Sequence, residues 1–263
     1  MKKLIVANWK MNPDTMQKAD DLFESVLPLN LKLLPFDLVI CPPFEYIEPL
    51  INHPKNKNKA IEFGAQDVFY ENKGAYTGEI SPKMLKDLGV GYVIVGHSER
   101  RKILNESDKV INKKVLAALN GGLKVILCVG ENSSVRKKGD KVVENYVRSQ
   151  LEKDLLGVKS LKLKIKNLVI AYEPVWAIGT GDQDTPEDAV KVVKFIKNLL
   201  NSKFQIPNSK LLYGGSVDSK NIKGFLQNKE IDGALVGGAS INKKEFGKLL
   251  ENLANNEVKK SKK

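Results

Sequence analysis

Three side chains of different chemistry stand out as able to act together on an anionic ligand: the carboxylate of Glu173, the imidazole of His97 and the ammonium of Lys10. Glu173 lies in Ala171-Tyr-Glu-Pro-Val-Trp-Ala-Ile-Gly-Thr-Gly181, directly after the apolar run Leu168-Val-Ile-Ala171. Pro174 cannot donate to a strand ladder, so pairing ends there and the carboxylate is presented at a strand terminus. An exposed-looking Trp176 and the small Gly179-Thr180-Gly181 follow, which reads as a hinged lid whose backbone N–H groups can approach an anion closely. His97 opens His97-Ser-Glu-Arg-Arg101, a helix start, and a helix N-terminus disfavours the cationic imidazole and leaves a neutral donor. A carboxylate base, a neutral imidazole and an ammonium suit proton abstraction next to a carbonyl, His97 and Lys10 stabilising the oxygen as it becomes enediolate-like.

Taken singly these residues mean little, because a lone glutamate or lysine is more often a solvated surface group. The elements around them change that. Short β-branched or apolar runs at Leu4–Ala7, Phe36–Cys41, Ile61–Ala65, Tyr92–Val95, Leu123–Val129, Leu168–Ala171, Leu211–Tyr213 and Ile231–Val236 give eight strand candidates. Helical spacing fills the gaps between them: Thr15–Leu27, Tyr46–Ile51, Pro82–Leu88, Val110–Leu119, Val142–Leu156, Glu187–Leu200, Ser219–Leu226 and Lys243–Leu253. Thr185-Pro-Glu-Asp188 joins a hydroxyl cap to proline at the first helical position and acids in the first turn; Ser81-Pro82 repeats the device.

Alternation of near-continuously apolar strands with helices points to a parallel sheet, and eight such units close into a single-domain α/β barrel, (β/α)8. An open doubly wound sheet is the alternative, but the first strand is followed by Ala7-Asn-Trp-Lys-Met-Asn12 and not by a glycine-rich turn. The barrel is expected over residues 1–256, with 257–263 as a disordered basic tail. In a barrel the loops leaving the C-terminal strand ends converge on one face. Those ends carry Asn8 and Lys10, His97 to Arg100, Cys128 to Glu131, and Glu173. The last two strands contribute Gly214-Gly215-Ser216 and Gly237-Gly238, where such barrels cradle a phosphate on backbone N–H groups.

Composition narrows the function. The net charge of +12 invites a nucleic-acid partner, but four of the lysines fall in the last seven residues and the rest are dispersed along helix faces. Nucleic acid is not the expected partner. No apolar run approaches the roughly 20 residues that span a bilayer, and a cytoplasmic location is expected. Cys41 and Cys128 lie far apart without a CxxC or Cys/His spacing, and read as buried reduced thiols. Metal-ligand clusters and a P-loop are missing, and Gly214-Gly-Ser-Val-Asp218 departs from G-x-S-x-G at its last position. No metal or cofactor is called for.

With Asn8-Trp-Lys-Met-Asn12, Val95-Gly-His-Ser-Glu-Arg-Arg101, Ala171–Gly181, Tyr213-Gly-Gly-Ser-Val217 and Val236-Gly-Gly238 in this order, the chain resembles the triosephosphate isomerase family over nearly its whole length. The resemblance implies interconversion of dihydroxyacetone phosphate and D-glyceraldehyde 3-phosphate, a step of glycolysis and gluconeogenesis. Glu173 would be the base, His97 the electrophile and Lys10 the positive charge. The pairing of a glutamate base with a neutral histidine under a closing loop is this family's known scheme. It further implies Asn8 as a polar contact, the phosphate on Gly179, Ser216, Gly237 and Gly238, and a lid from Pro174 to Thr180. Glu99 falls in the site either as a salt-bridge partner of Lys10 or in proton transfer, and Cys128 packs near the base. A homodimer is implied through the loop Gln66–Glu79, whose Thr77 would approach the neighbour's Asn8 and Glu99. Asp182-Gln183-Asp184 at the lid's far hinge and Asp67 depart from the family pattern. Another phosphate-binding barrel enzyme, or a basic scaffold with a surface-binding role, is the competing interpretation.

Overall fold

The computed structural model describes residues 2–27, 34–56, 61–178 and 184–260. Eight strands, β1 (Lys3–Asn8), β2 (Phe36–Cys41), β3 (Ile61–Ala65), β4 (Tyr92–Val95), β5 (Lys124–Val129), β6 (Leu168–Tyr172), β7 (Lys210–Tyr213) and β8 (Gly233–Val236), pair in sequence order into a closed barrel. Every pairing is parallel, and β8 closes on β1 with Leu4 opposite Gly233. Both faces of each strand are covered, which is why the strands read as unbroken apolar runs and not as alternating ones. Leu4, Val6, Val39, Cys41, Tyr92, Ile94, Ile126, Cys128, Val169, Ala171, Leu212 and Leu235 fill the barrel interior. Their neighbours, such as Ile5, Ala7, Ile40, Val93, Val125 and Ile170, face outward into the layer beneath the helices.

The helices are α1 (Met16–Glu24), α2 (Phe44–Ile51), α3 (Pro82–Asp87), α4 (Ser98–Ile103), α5 (Asp108–Asn120), α6 (Ser133–Arg136), α7 (Asp140–Asp154), α8 (Pro186–Leu199), α9 (Ile222–Leu226) and α10 (Lys243–Lys260). Their starts follow local chemistry: Thr15, Ser81, Ser107 and Thr185 each accept the N–H three residues on, and Pro82 and Pro186 occupy the first turn. α6 and the 3-10 turns at Val175–Ala177 and Gly238–Ile241 have no counterpart among the sequence-derived helices, because three or four residues are too few to display a 3.6-residue period. α10 runs to Lys260, past the boundary drawn after Asn256.

Charge at the surface is interleaved and not gathered. Lys18 pairs with Asp14, Lys55 with Glu24, Lys124 with Glu62, Lys191 with Asp188 and Lys243 with Asp21. Among the described residues no helix is long and apolar enough to cross a membrane.

Candidate active site

The C-terminal ends of β4, β5, β6 and β7 close around Glu173, which is 2% exposed. Its N–H donates to Val129 O at 2.8 Å, and Gly214 N donates to Tyr172 O at 2.8 Å, so the chain at residue 173 is fixed from both neighbouring strands. The fit leaves no room for side chains beside it. A Cβ on Gly130 would lie 1.8 Å from Glu173 O, and one on Gly214 would lie 2.9 Å from Glu173 Cγ. Both glycines are therefore part of the site's construction.

The carboxylate points at α4. Oε2 accepts the N–H of Ser98 at 2.9 Å, the first residue of that helix. Oε1 lies 3.2 Å from His97 Nε2 without aligning into a hydrogen bond, and is a buried oxygen with no partner. His97 caps α4, its Nδ1 accepting from the N–H of Glu99 at 3.2 Å. A ring nitrogen that accepts carries no proton, so this geometry assigns the imidazole proton to Nε2, the nitrogen nearest Glu173. Arg101 anchors the same corner: its guanidinium donates to Gly96 O at 2.8 Å and Cys128 O at 3.0 Å, and is held by Asp154 at 2.6 Å. It ties the ends of β4 and β5 together, a role its place in the motif alone did not disclose.

Lys10 enters from β1 with φ of 55°, left-handed backbone that costs a non-glycine residue about 1 kcal/mol or more. Two contacts hold it there. Asn8 Oδ1 accepts Lys10 N at 3.0 Å, and Gln66 Nε2 donates to Lys10 O at 2.7 Å. Lys10 Nζ is 2.6 Å from Glu99 Oε1, the salt-bridge alternative considered for Glu99. A Cβ on Gly237 would sit 3.1 Å from Lys10 Cε, so the lysine stem runs along the glycine pair after β8.

A cavity of about 430 Å³ opens between these groups, within the range of small-ligand sites. Lys10, His97, Glu173, Ser216, Gly237 and Gly238 all line it. Asn8 does not; its side chain is spent on the Lys10 backbone. Gly179 and the rest of 179–183 lie outside the described residues. The Ser216 hydroxyl donates to Ala177 O at 2.5 Å, linking the β7 loop to the segment after Glu173. Cys128 is fully buried in the barrel, and burial together with the nearby Glu173 charge pushes its thiol well above the usual range. It is an inert packing group beside Glu173.

Trp176 proves half-buried and not exposed: its indole N–H donates to Glu131 Oε1 at 2.8 Å, and the ring lies under Arg136. Glu131 also accepts from the hydroxyl of Tyr172 at 3.1 Å, while its backbone O accepts from Val175 N at 3.0 Å. This one residue therefore grips both flanks of Glu173. Burial raises its carboxyl above the ordinary range. Its position at a strand end was visible in the sequence; its partners, 41 and 45 residues away, were not.

At the base of the loop Gln66–Glu79, Asp67 pairs with one buried and one half-buried cation. Lys114, 3% exposed, lies 2.7 Å from Asp67 and also against Glu106, while Arg100 reaches Asp67 at 2.9 Å and Glu106 at 2.8 Å. The cluster connects that loop to α4 and α5.

The family model for triosephosphate isomerase matches residues 3–253. A triosephosphate isomerase of Caldanaerobacter subterraneus subsp. tengcongensis is 46% identical over 250 residues, covering 94% of this chain and 98% of its own. Those of Aquifex aeolicus and Dictyoglomus thermophilum are 43% and 42% identical, each over 95% of this chain and 99% of theirs.

Proposed function

The chain belongs to the triosephosphate isomerase family, and from that premise we propose how its own residues carry out the interconversion of dihydroxyacetone phosphate and D-glyceraldehyde 3-phosphate. Glu173 removes the proton from the carbon next to the carbonyl and returns it to the neighbouring carbon. The His97 Nε2–H donates to the substrate oxygen as negative charge grows on it, and Lys10 adds positive charge on the same side. The N–H groups around Ser216, Gly237 and Gly238, with Gly179 from the segment outside the described residues, hold the phosphate. Asn8 acts on the substrate through Lys10, whose strained backbone it fixes.

One observation carries the assignment of the base: Glu173 Oε1, buried at the cavity wall without a hydrogen bond. A carboxylate oxygen so placed is costly in a finished fold and is free to accept a proton from a ligand. To reach a substrate carbon, the carboxylate gives up its bond from Ser98 N. Closure of Pro174–Thr180 then excludes water from an enediolate that would otherwise expel phosphate. Replacing Glu173 with Gln is expected to lower kcat by about 10²–10⁴ or more in a coupled assay with glyceraldehyde 3-phosphate, the far-UV spectrum being unchanged. Full activity in that variant would falsify the assignment.

The site works within a homodimer built on Gln66–Glu79, Thr77 approaching the partner's site. Exposed Tyr76 and Met84, which are 43% and 52% accessible and lie together with Phe69 at that loop, support this, since apolar side chains gathered around one loop favour a covered surface. The barrel is one domain, and its place of action is the cytoplasm.

A further inference from the structure

The wall of the cavity that takes the phosphate includes groups that its electrostatics oppose. Besides Ser216, Gly237 and Gly238, it is lined by Asn221 and by two further carboxylates, Asp218 and Glu245. A carboxylate beside a bound phosphate weakens binding by like-charge repulsion, so something else must keep Glu245 there. Its place in α10 shows what that is. Asn242 precedes the helix and its Oδ1 accepts Glu245 N at 3.1 Å. Asn242 and Glu245 thus hold the two positions of a capping box, in which the acid reaches back to the N–H of the cap residue. Here that N–H is already donated to Ala239 O at 3.4 Å. The Glu245 side chain leaves its own helix instead, and its Oε1 accepts Ser219 N at 2.6 Å in the loop after β7.

From Ser219 the hold passes back to Ser216 in short steps. Ser219 O accepts Asn252 Nδ2 at 2.8 Å, so α10 grips residue 219 through both its N–H and its carbonyl. Asp218 and Asn221 are tied reciprocally, Asn221 Oδ1 accepting Asp218 N at 3.0 Å and Asp218 Oδ1 accepting Asn221 N at 2.9 Å. Asn221 Nδ2 then donates to Ser216 O at 2.9 Å. On the other side, the glycine pair after β8 runs through the 3-10 turn Gly238–Ile241 directly into Asn242 and α10, with Ser240 N donating to Gly237 O at 2.8 Å. We propose that Glu245 is a positioning residue for phosphate binding: its carboxylate straps the loop after β7 to the start of α10 and sets the spacing of Ser216 against Gly237 and Gly238. A cradle held at that spacing binds phosphate without first having to be ordered. The proposal rests on the phosphate being held at Ser216, Gly237 and Gly238, which the parent protein tests by itself.

Inorganic phosphate is titrated first into the isotope-labelled parent, where the amide resonances of Ser216, Gly237 and Gly238 are expected to shift; their failure to move would remove the cradle and the proposal together. With those shifts in hand, the variants test the strap alone. Glu245→Ala should raise the inhibition constant of inorganic phosphate about fivefold or more, a part of what a hydrogen bond to a charged group contributes. The ratio of kcat/KM for glyceraldehyde 3-phosphate to that for D-glyceraldehyde, which has no phosphate to place, should fall by the same factor, whereas general damage to the barrel would lower both and leave the ratio unchanged. Glu245→Gln keeps an acceptor for Ser219 N without the charge, and should restore both readings. If repulsion were all that Glu245 contributes, Glu245→Ala would bind phosphate more tightly. The proposal is overturned by phosphate binding in Glu245→Ala equal to or tighter than the parent's, by an unchanged ratio, or by no recovery in Glu245→Gln. Hydrogen exchange in the parent gives a reading that needs no variant to fold: Ser219 N–H lies outside every helix and strand, yet should exchange slowly, and exchange at the rate of an open loop overturns the strap.

Discussion

A methyl group placed on Gly214 tests how closely the site depends on the packing around its base. The added Cβ would lie 2.9 Å from Glu173 Cγ and 3.3 Å from Tyr172 O, whereas carbon atoms prefer about 3.5–4.0 Å. Tyr172 O accepts Gly214 N and belongs to the barrel, so it does not yield; the Glu173 side chain does. Restoring contact distance moves Cγ by roughly 0.6–1 Å, and a misplacement of about 1 Å at a reacting group costs on the order of 10²-fold in rate. Overpacking adds about 1–3 kcal/mol of destabilisation, which at about 2–4 °C per kcal/mol leaves a folded enzyme to assay. Gly214→Ala is therefore expected to lower kcat about a hundredfold with KM changed little, since the phosphate cradle at Gly237 and Gly238 is untouched. Steady-state kinetics in both directions, beside a melting curve, measure this. Activity within twofold of the parent, with a melting temperature also unchanged, would refute the claim that Gly214 is small to make room for the base.

Four further outcomes follow from the same structure. Glu131→Gln keeps an acceptor for Trp176 and Tyr172 but removes the buried charge, so its kcat should fall less than that of Glu131→Ala; equal losses would show that the grip on Glu173's flanks is not what matters. Lys114→Met leaves Asp67 and Glu106 with Arg100 alone and should destabilise the chain by about 3–5 kcal/mol in urea unfolding, against no change if the cluster is not coupled to folding. Asp184 is raised from 3.8 to about 7, so the folded chain retains a proton that the unfolded chain has released, and stability falls as pH rises between those values. The unfolding free energy of Asp184→Asn relative to the parent, from urea titrations, should accordingly climb from pH 4 to 7 and level off above it, by at most about 4 kcal/mol; a difference constant across that range would refute the shift. Tyr76→Glu, which puts charge on the exposed tip of Gln66–Glu79, should shift sedimentation from dimer toward monomer, and a species unchanged in mass at micromolar concentration would place the interface elsewhere.

Much of the architecture was legible because local chemistry and the barrel agree. β2, β3 and β4 span the same residues that their apolar runs mark, and α8 begins on the Thr185-Pro186 cap. Glu173, His97 and Lys10 could be nominated because strand ends in a barrel face one side, so order in the chain predicts neighbourhood in space. The helix start at Ser98 was readable from His97-Ser-Glu-Arg-Arg101, and with it the place of His97 at the cap, since capping is decided within three residues. By itself, then, the sequence determined the fold class, the nominated base and acid, and a family whose motifs recur in order.

Tertiary structure alone decided what these groups touch. Trp176 looked exposed because its immediate neighbours are small or apolar, and only folding brings Glu131, 45 residues earlier, to its indole N–H. Gly214 was legible only as one of a glycine pair suited to a phosphate, and Gly130 carried no signal; only folding brings the Glu173 backbone and side chain within van der Waals reach of both. Asp184 is polar and flanked by polar residues, the pattern of a surface turn, yet closure of β5, β6 and β7 around it takes it out of water. Periodicity and capping act over a few residues, whereas burial and charge balance depend on groups the chain brings together from far apart. The sequence therefore nominates the groups that could act, and the closed barrel sets the distances and steric limits around them.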